Sequence, residues 1–293
     1  MPLSLRSILP TLTPLAGLPA LPACRNASCV RPPSLWQRWW ARHEGVWLGG
    51  AWHCSLECFQ MGLFRRLERA AMAGPRPSPQ LNRLPLGLLL LSRGEITDEQ
   101  LRRALQLQQS EGGRIGECLM RIGAIVEAQI TAALAVQQGC PVFPAREPQP
   151  LPERIHWPGR LVDHYRALPV LYNAAQSCLY VGFLDRVDHR FLLCLERMLA
   201  CRSQACIVPA RSFRRHLQMQ SLGPSESICI RQRLNPEEMT ETVSDYAQQL
   251  RAARCELSSC DDHLWLRLSK DDGQHVDLLF RLPSAELPAS WVN

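Results

Sequence analysis

The chain is 293 residues long with a mass of 33.1 kDa, room for one large domain or two to three small ones. Apolar residues make up 46% and charged residues 20%, which excludes collagen, coiled coil and wholesale disorder. Of the 33 basic residues all but Lys270 are arginine. Lys270 lies in Leu-Ser-Lys-Asp-Asp, so the chain has no Gly-Lys-Ser/Thr phosphate loop and is not by itself a P-loop ATPase. The net charge of +6 is mild and the arginines are scattered, so the charge footprint does not indicate a nucleic-acid surface.

Residues 1–22 are rich in proline. Pro2, Pro10, Pro14, Pro19 and Pro22 break the helix that a secretory signal needs, so a disordered leader is expected. No apolar run reaches 18 residues, and no transmembrane helix is expected. Of the 13 cysteines, Cys118, Cys178, Cys194 and Cys229 sit singly in apolar stretches. They read as small buried hydrophobes of a reducing compartment, and the expected location is cytoplasmic.

Residues 23–73 have a different character. Cys24-x4-Cys29 and Cys54-x3-Cys58 are two close pairs separated by 24 residues. Each pair can offer two thiolates from one turn, which suits a tetrahedral structural Zn²⁺. A unit this small also lacks a core without a staple. His53 or His43 is an alternative to one thiolate. Trp36, Trp39, Trp40 and Trp47 are expected to form the core of the unit. Residues 74–82 alternate proline with small or polar residues and read as a linker.

The strongest signal is an internal repeat over 83–138. Leu86, Gly87, Leu90, Gly94, Leu101, Leu105 and Gln108 recur 29 residues later as Ile115, Gly116, Leu119, Gly123, Ile130, Leu134 and Gln137. Residues 86–92 and 115–121 are expected to be short helices closed by Gly94 and Gly123. Thr97 and Gln100 have the spacing of a capping box, opening a helix to about Gln109. Its apolar face is Leu101, Ala104, Leu105 and Gln108, matched by Ile130, Ala133, Leu134 and Gln137.

Beyond the repeat, helical and strand patterns alternate over 139–215. A turn and strand are expected near Gly139–Phe143, a helix at Leu161–Leu168, strands at Leu168–Tyr172, Cys178–Phe183 and Ala205–Pro209, and a helix at Asp188–Met198. A weak boundary falls at 215–226. Residues 227–293 read as a small unit with a strand at Ser227–Arg231 and a helix opened by Asn235-Pro236, running to about Arg254. Strands follow at Leu257–Cys260, His263–Leu268 and Val276–Arg281, the last two joined by an Asp271-Asp272-Gly273 hairpin turn. Asp261-Asp262-His263 reads as a solvated turn, and Asp277 with Arg281 as an edge-strand salt bridge.

The repeat resembles the tandem motif of MshEN domains, the N-terminal regulatory domains of type II secretion and type IV pilus assembly ATPases. That pattern is Arg-Leu-Gly-x2-Leu-x3-Gly-x6-Leu-x3-Leu-x2-Gln, twice, with a five-residue spacer. Residues 114–137 match all of it with Ile at 115 and 130; residues 86–108 match from the Leu-Gly onward. Leu151-Pro152-Glu153, Arg166–Val170 and Leu179–Asp185 extend the likeness, which covers about residues 83–215. The resemblance implies a cyclic di-GMP ligand. It assigns ligand contacts to Leu86, Gly87, Leu101, Leu105 and Gln108, to Arg114, Ile115, Gly116, Ile130, Leu134 and Gln137, and to Asp185. It also implies a protein partner in secretion, pilus or surface-polysaccharide machinery. The first copy has Pro85 where the pattern has arginine. Losing a charged bidentate contact costs about 2–4 kcal/mol in affinity.

The expected fold is therefore α+β and multi-domain. It comprises a small Cys-rich N-terminal unit, four short MshEN-like helices followed by an α/β sandwich, and a small C-terminal α+β unit. Gly-x-Ser-x-Gly, His-Glu-x2-His and Gly-x-Gly-x2-Gly are missing, and a non-enzyme is expected. Three readings stay open: a cyclic di-GMP receptor module without its ATPase, a protein-interaction adaptor with a degenerate repeat, and a zinc-dependent nucleic-acid-binding regulator.

Overall fold

A computed structural model describes residues 23–30, 45–74, 83–144, 147, 149–220, 227–230 and 234–282. The leader, the 75–82 part of the linker, Trp36, Trp39, Trp40 and His43 lie outside them. The architecture is mixed helix and sheet. In chain order, β1 (Val46–Leu48) and β2 (Ala51–His53) form a hairpin, and α1 (Leu56–Ala73) follows. The repeat supplies α2 (Leu86–Ser92), α3 (Asp98–Glu111), α4 (Ile115–Arg121) and α5 (Glu127–Gln138). Then come α6 (Gly159–Tyr165), β3 (Ala167–Asn173), β4 (Cys178–Phe183), α7 (His189–Leu199), β5 (Arg202–Ile207) and α8 (Ala210–Gln220). The chain closes with β6 (Ser227–Ile230), α9 (Pro236–Leu250), β7 (Arg254–Cys260), β8 (His263–Ser269) and β9 (His275–Arg281).

The repeat folds as its periodicity predicts. Leu90, Leu101, Ala104, Leu119, Ile130 and Ala133 fill one small core between the four helices. Gly94 and Gly123 close the two short helices at φ +69° and +71°. In each copy the residue after the glycine, Glu95 or Ala124, donates back to a carbonyl of the last turn, Leu90 or Leu119. That left-handed closure is costly for any residue with a Cβ. The Thr97–Gln100 capping box forms in both directions, at 2.8 and 3.3 Å. The second copy keeps only half of it: Gln129 accepts from the Val126 amide at 3.2 Å, and Val126 has no side-chain acceptor to return.

Strands β3, β4 and β5 form a three-stranded sheet against α7. The Leu161–Leu168 helix of the sequence reading ends earlier, at Tyr165, where Arg166 adopts φ +47° and the chain turns into β3. The Gly139–Phe143 strand is reduced to one bridge, Val142 with Ile207.

The two ends of the chain meet in one six-stranded sheet, ordered β2-β1-β7-β8-β9-β6. Strand β1 runs parallel to β7, with Trp47 opposite Arg254 and Leu48 opposite Cys255. Residues 23–73 and 227–293, read from sequence as separate units, thus share a sheet and a core. Phe59, Leu63 and Leu67 of α1 and Met239 and Val243 of α9 cover Leu264, Leu266, Leu268, Leu278 and Phe280 on one face. The opposite face presents Cys260, Trp265 and Leu279 to α7 and the three-stranded sheet. Covering both faces explains why β8 and β9 are buried almost without alternation. Trp47 departs from its expected core role: Val46 and Leu48 are buried while Trp47 is 36% exposed, because successive strand residues face opposite ways.

Asp277 is also placed differently from the sequence reading. Strand β9 lies inside the sheet, and Asp277 pairs with Arg267 directly across β8, at 2.7 and 2.8 Å. The Trp265 indole N–H donates to the same carboxylate at 2.8 Å, and Arg267 also donates to the backbone carbonyls of Arg154 and His156. Arg281 reaches Asp262 instead, at 3.6 Å. Asp261 and Asp262 lie 3.3 and 2.5 Å from the rings of His164 and His263, so the expected solvated turn packs against two histidines. Of the lone cysteines, Cys118, Cys178 and Cys194 are buried as expected, and the side chain of Cys229 lies outside the described residues.

Candidate functional site

The two copies of the repeat are related contact for contact. A Cβ on Gly87 would meet Leu101 and Ile115; a Cβ on Gly116 would meet Ile130 and Leu86. Each glycine therefore lies under the apolar residue of its own second helix and beside the first apolar residue of the other copy. The glutamines complete the exchange. Gln108 donates its amide N–H to the carbonyl of Gly113 at 2.9 Å, just before Arg114. Gln137 donates to the carbonyl of Leu84 at 2.7 Å, just before Pro85. Each copy's glutamine thus anchors the backbone that leads into the other copy's motif.

That frame makes Arg114 and Pro85 equivalent. Both are N-cap residues with extended backbone, ψ 145° at Arg114 and 141° at Pro85. Arg114 forms an ion pair with Asp185, which follows β4, and the Arg166 Nε lies 3.1 Å from the same Asp185 oxygen in a second ion pair. Two guanidinium groups on one carboxylate leave a net positive, partly exposed centre. Burial first, and the Arg166 cation second, pull the Arg114 pKa down, though not enough to discharge an arginine. Such a fork presents donors beside an acceptor, the pattern that meets a guanine edge or a phosphate. In the first copy, Arg83 donates to Gln138, whose same oxygen accepts from the Val187 amide at 3.0 Å. Arg93 is paired with Glu95 at 2.7 Å.

The apolar residues assigned by resemblance divide by burial. Leu101 and Ile130 are buried in the repeat core, and Gly87 and Gly116 are buried beneath them. Leu86, Ile115 and Leu134 are half-buried, and Leu105 is 43% exposed. The first group shapes the frame and the second lines accessible surface. Sequence reasoning missed Arg166. Its signal was the Arg166–Val170 stretch of the resemblance, but the left-handed turn that aims it at Asp185 is a tertiary feature.

The four N-terminal cysteines are brought together as the spacing predicts. Their sulfur atoms all lie within 4.8 Å of one another, with Cys29–Cys54 at 3.5 Å and Cys54–Cys58 at 3.8 Å. A tetrahedral zinc with bonds of about 2.3 Å needs sulfurs about 3.8 Å apart. Cys24 and Cys29 come from a loop tied to β2 by the Arg25 amide donating to the Trp52 carbonyl at 2.9 Å. Cys54 directly follows β2, and Cys58 stands in the first turn of α1, whose N-cap is Ser55. Burial by itself pushes the Cys58 thiol up, but hydrogen bonds from Asn26 and Ser55 and the neighbouring thiols bring it down to about 7. The donor set, all sulfur and closed, fits a structural ion. His53 does not join it: its Nδ1 faces the Ala51 carbonyl at 3.1 Å and its ring packs on Gly62.

No protein-family model matches the chain. Over 101 residues it is 35% identical to the type IV pilus assembly ATPase PilB of Myxococcus xanthus, a match covering 34% of this chain and 18% of that protein. This segment is similar to pilus assembly ATPases. Over 126 residues the chain is 32% identical to bacteriophage adsorption protein B of Escherichia coli, covering 42% of this chain and 16% of that one. The chain thus spans under a fifth of the curated relatives it matches. Among solved structures, MshE with cyclic di-GMP superposes with a TM-score of 0.38 and 25% identity, over 47% of this chain and 99% of that one. No described helix is long and apolar enough to cross a membrane.

Proposed function

We propose that residues 83–215 form a non-catalytic, cyclic di-GMP-binding regulatory module, acting in the cytoplasm on a protein of secretion, pilus or surface-polysaccharide machinery. The observation that carries this reading is the Arg114–Asp185–Arg166 cluster, set at the N-cap that opens the second copy of the repeat. The two arginines offer donors to guanine N7 and O6 or to phosphate, and Asp185 offers an acceptor to the guanine N–H groups. Leu86, Ile115, Leu105 and Leu134 supply apolar surface for the bases.

A structural zinc held by Cys24, Cys29, Cys54 and Cys58 belongs to the same reading. It would tie the N-terminal loop to the β1–β2 hairpin and α1 without taking part in chemistry. Metal analysis of the purified chain is expected to find one zinc per chain, lost in Cys54→Ser with Cys58→Ser; a metal-free, fully protected N-terminal segment would remove the ion from the proposal.

Calorimetric titration of the full chain with cyclic di-GMP, beside Arg114→Ala, tests the receptor reading. Micromolar or tighter binding that the substitution abolishes supports it. A second reading is favoured by the glutamines: Gln108 and Gln137 already have backbone partners, as they would in a repeat kept only for packing and protein contacts. No heat from a folded chain at millimolar ligand would decide for that adaptor role.

A further inference from the structure

Building on the ligand reading above, we infer that the site is functionally one-sided: it selects a single guanine, through the second copy, and takes a cyclic dinucleotide whose other base is not guanine as readily as cyclic di-GMP. The frame of the two copies is the same, so the difference lies in side chains alone. Reciprocal glutamine bonds and glycine contacts set equivalent backbone at positions 85 and 114. The second copy there carries the Arg114 fork, with Asp185 and Arg166 behind it. The first carries a proline ring, which has neither donor nor charge.

The arginines on either side of position 85 in sequence do not replace it. Arg83 is committed to Gln138, and Arg93 to Glu95. What the first half offers a base is the half-buried Leu86 and the exposed Leu105. A flat apolar face accepts any purine, because stacking does not read the hydrogen-bonding edge. Guanine and adenine differ in that edge, and a bidentate arginine is what tells them apart. One such pair discriminates by about 5- to 150-fold, and here one half of the site has it and the other does not.

The backbone also says how to restore the missing half. Pro85 and Arg114 have nearly the same ψ, 141° and 145°, and both φ values, −53° and −102°, are open to arginine, so Pro85→Arg asks for no change of fold. The experiment is calorimetric titration of the full chain and of Pro85→Arg with cyclic di-GMP, the hybrid 3′,3′-cyclic GMP–AMP, and cyclic di-AMP. In the unmodified chain, cyclic di-GMP and the hybrid are expected to bind within about threefold of each other, with cyclic di-AMP weaker by about 5- to 150-fold. Pro85→Arg is expected to strengthen cyclic di-GMP by a similar factor and leave the hybrid nearly unchanged. A tenfold or larger preference of the unmodified chain for cyclic di-GMP over the hybrid would overturn one-sidedness while leaving the receptor reading intact. Equal binding of all three would overturn guanine selection by Arg114. Binding of none would overturn both.

Discussion

The tandem repeat and the six-stranded sheet hold together by opposite means. The repeat is contiguous over 83–138, closes its core with neighbours in sequence, and ends its helices with its own glycines and caps. The sheet is assembled from both ends of the chain, with β1 and β7 some two hundred residues apart paired in parallel. Its buried polar pair, Arg267 with Asp277, also reaches across to the carbonyls of Arg154 and His156. A contiguous unit can lose an interaction locally. A sheet shared by distant segments loses its joint when one partner is removed, because each segment then exposes an apolar face.

The largest expected effect falls on that joint. Asp277→Ala leaves Arg267 buried without its carboxylate and is expected to cost about 3–5 kcal/mol, measured by urea denaturation. A loss under 1 kcal/mol would show that the two backbone carbonyls are enough to hold the cation.

The next test compares equal deletions in the two regions. Leu63→Ala in α1 and Leu90→Ala in α2 both empty fully buried positions and should each cost about 2–5 kcal/mol. Their reach should differ. Hydrogen exchange in Leu63→Ala is expected to quicken in α9 and β8, far away in sequence. In Leu90→Ala it should quicken only within 83–138. Equal spread in both variants would erase the contrast.

Acid should separate the regions more gently. Burial is the main cause pulling His156 and His263 below their ordinary pKa, and both sit at the sheet or its junction. The repeat contains no histidine. A histidine whose folded pKa is depressed binds its proton first in the unfolded chain. Its stability is therefore complete above about pH 6.5 and is lost as pH falls below that. Exchange protection measured at pH 7.5 and 5.5 should weaken in β8 and at 153–157, and stay level in α2–α5 at a matched intrinsic rate.

The smallest effect lies inside the repeat. Thr97→Ala removes the one complete capping box of the two copies and should cost about 0.5–2 kcal/mol. Val126→Thr, which supplies the missing acceptor in the second copy, should recover a similar amount; no gain would mean that α5 is held by packing alone.

Much of the site was legible from residues because it is built from local rules. The 29-residue spacing made Gly87 and Gly116 equivalent, and the paired Cys spacing brought four sulfurs into one cluster. The roles of the glutamines were only half legible. Their apolar-face position demanded a polar partner, and the partner is the other copy's backbone. Asp277 was misplaced because a lone acid in an apolar strand looks the same in sequence at an edge or at the centre of a sheet. Only the addition of β6 beside β9 makes it central.

By itself the sequence determined the repeat, its caps, its breaks and the cysteine cluster, since these depend on periodicity and backbone closure within a few turns of chain. The tertiary structure decided that the two chain ends share a sheet, that Arg267 meets Asp277, and that Arg166 turns onto Asp185 beside Arg114. Those pairings follow from which apolar faces must be covered at once, a condition set by the whole molecule rather than by any one segment.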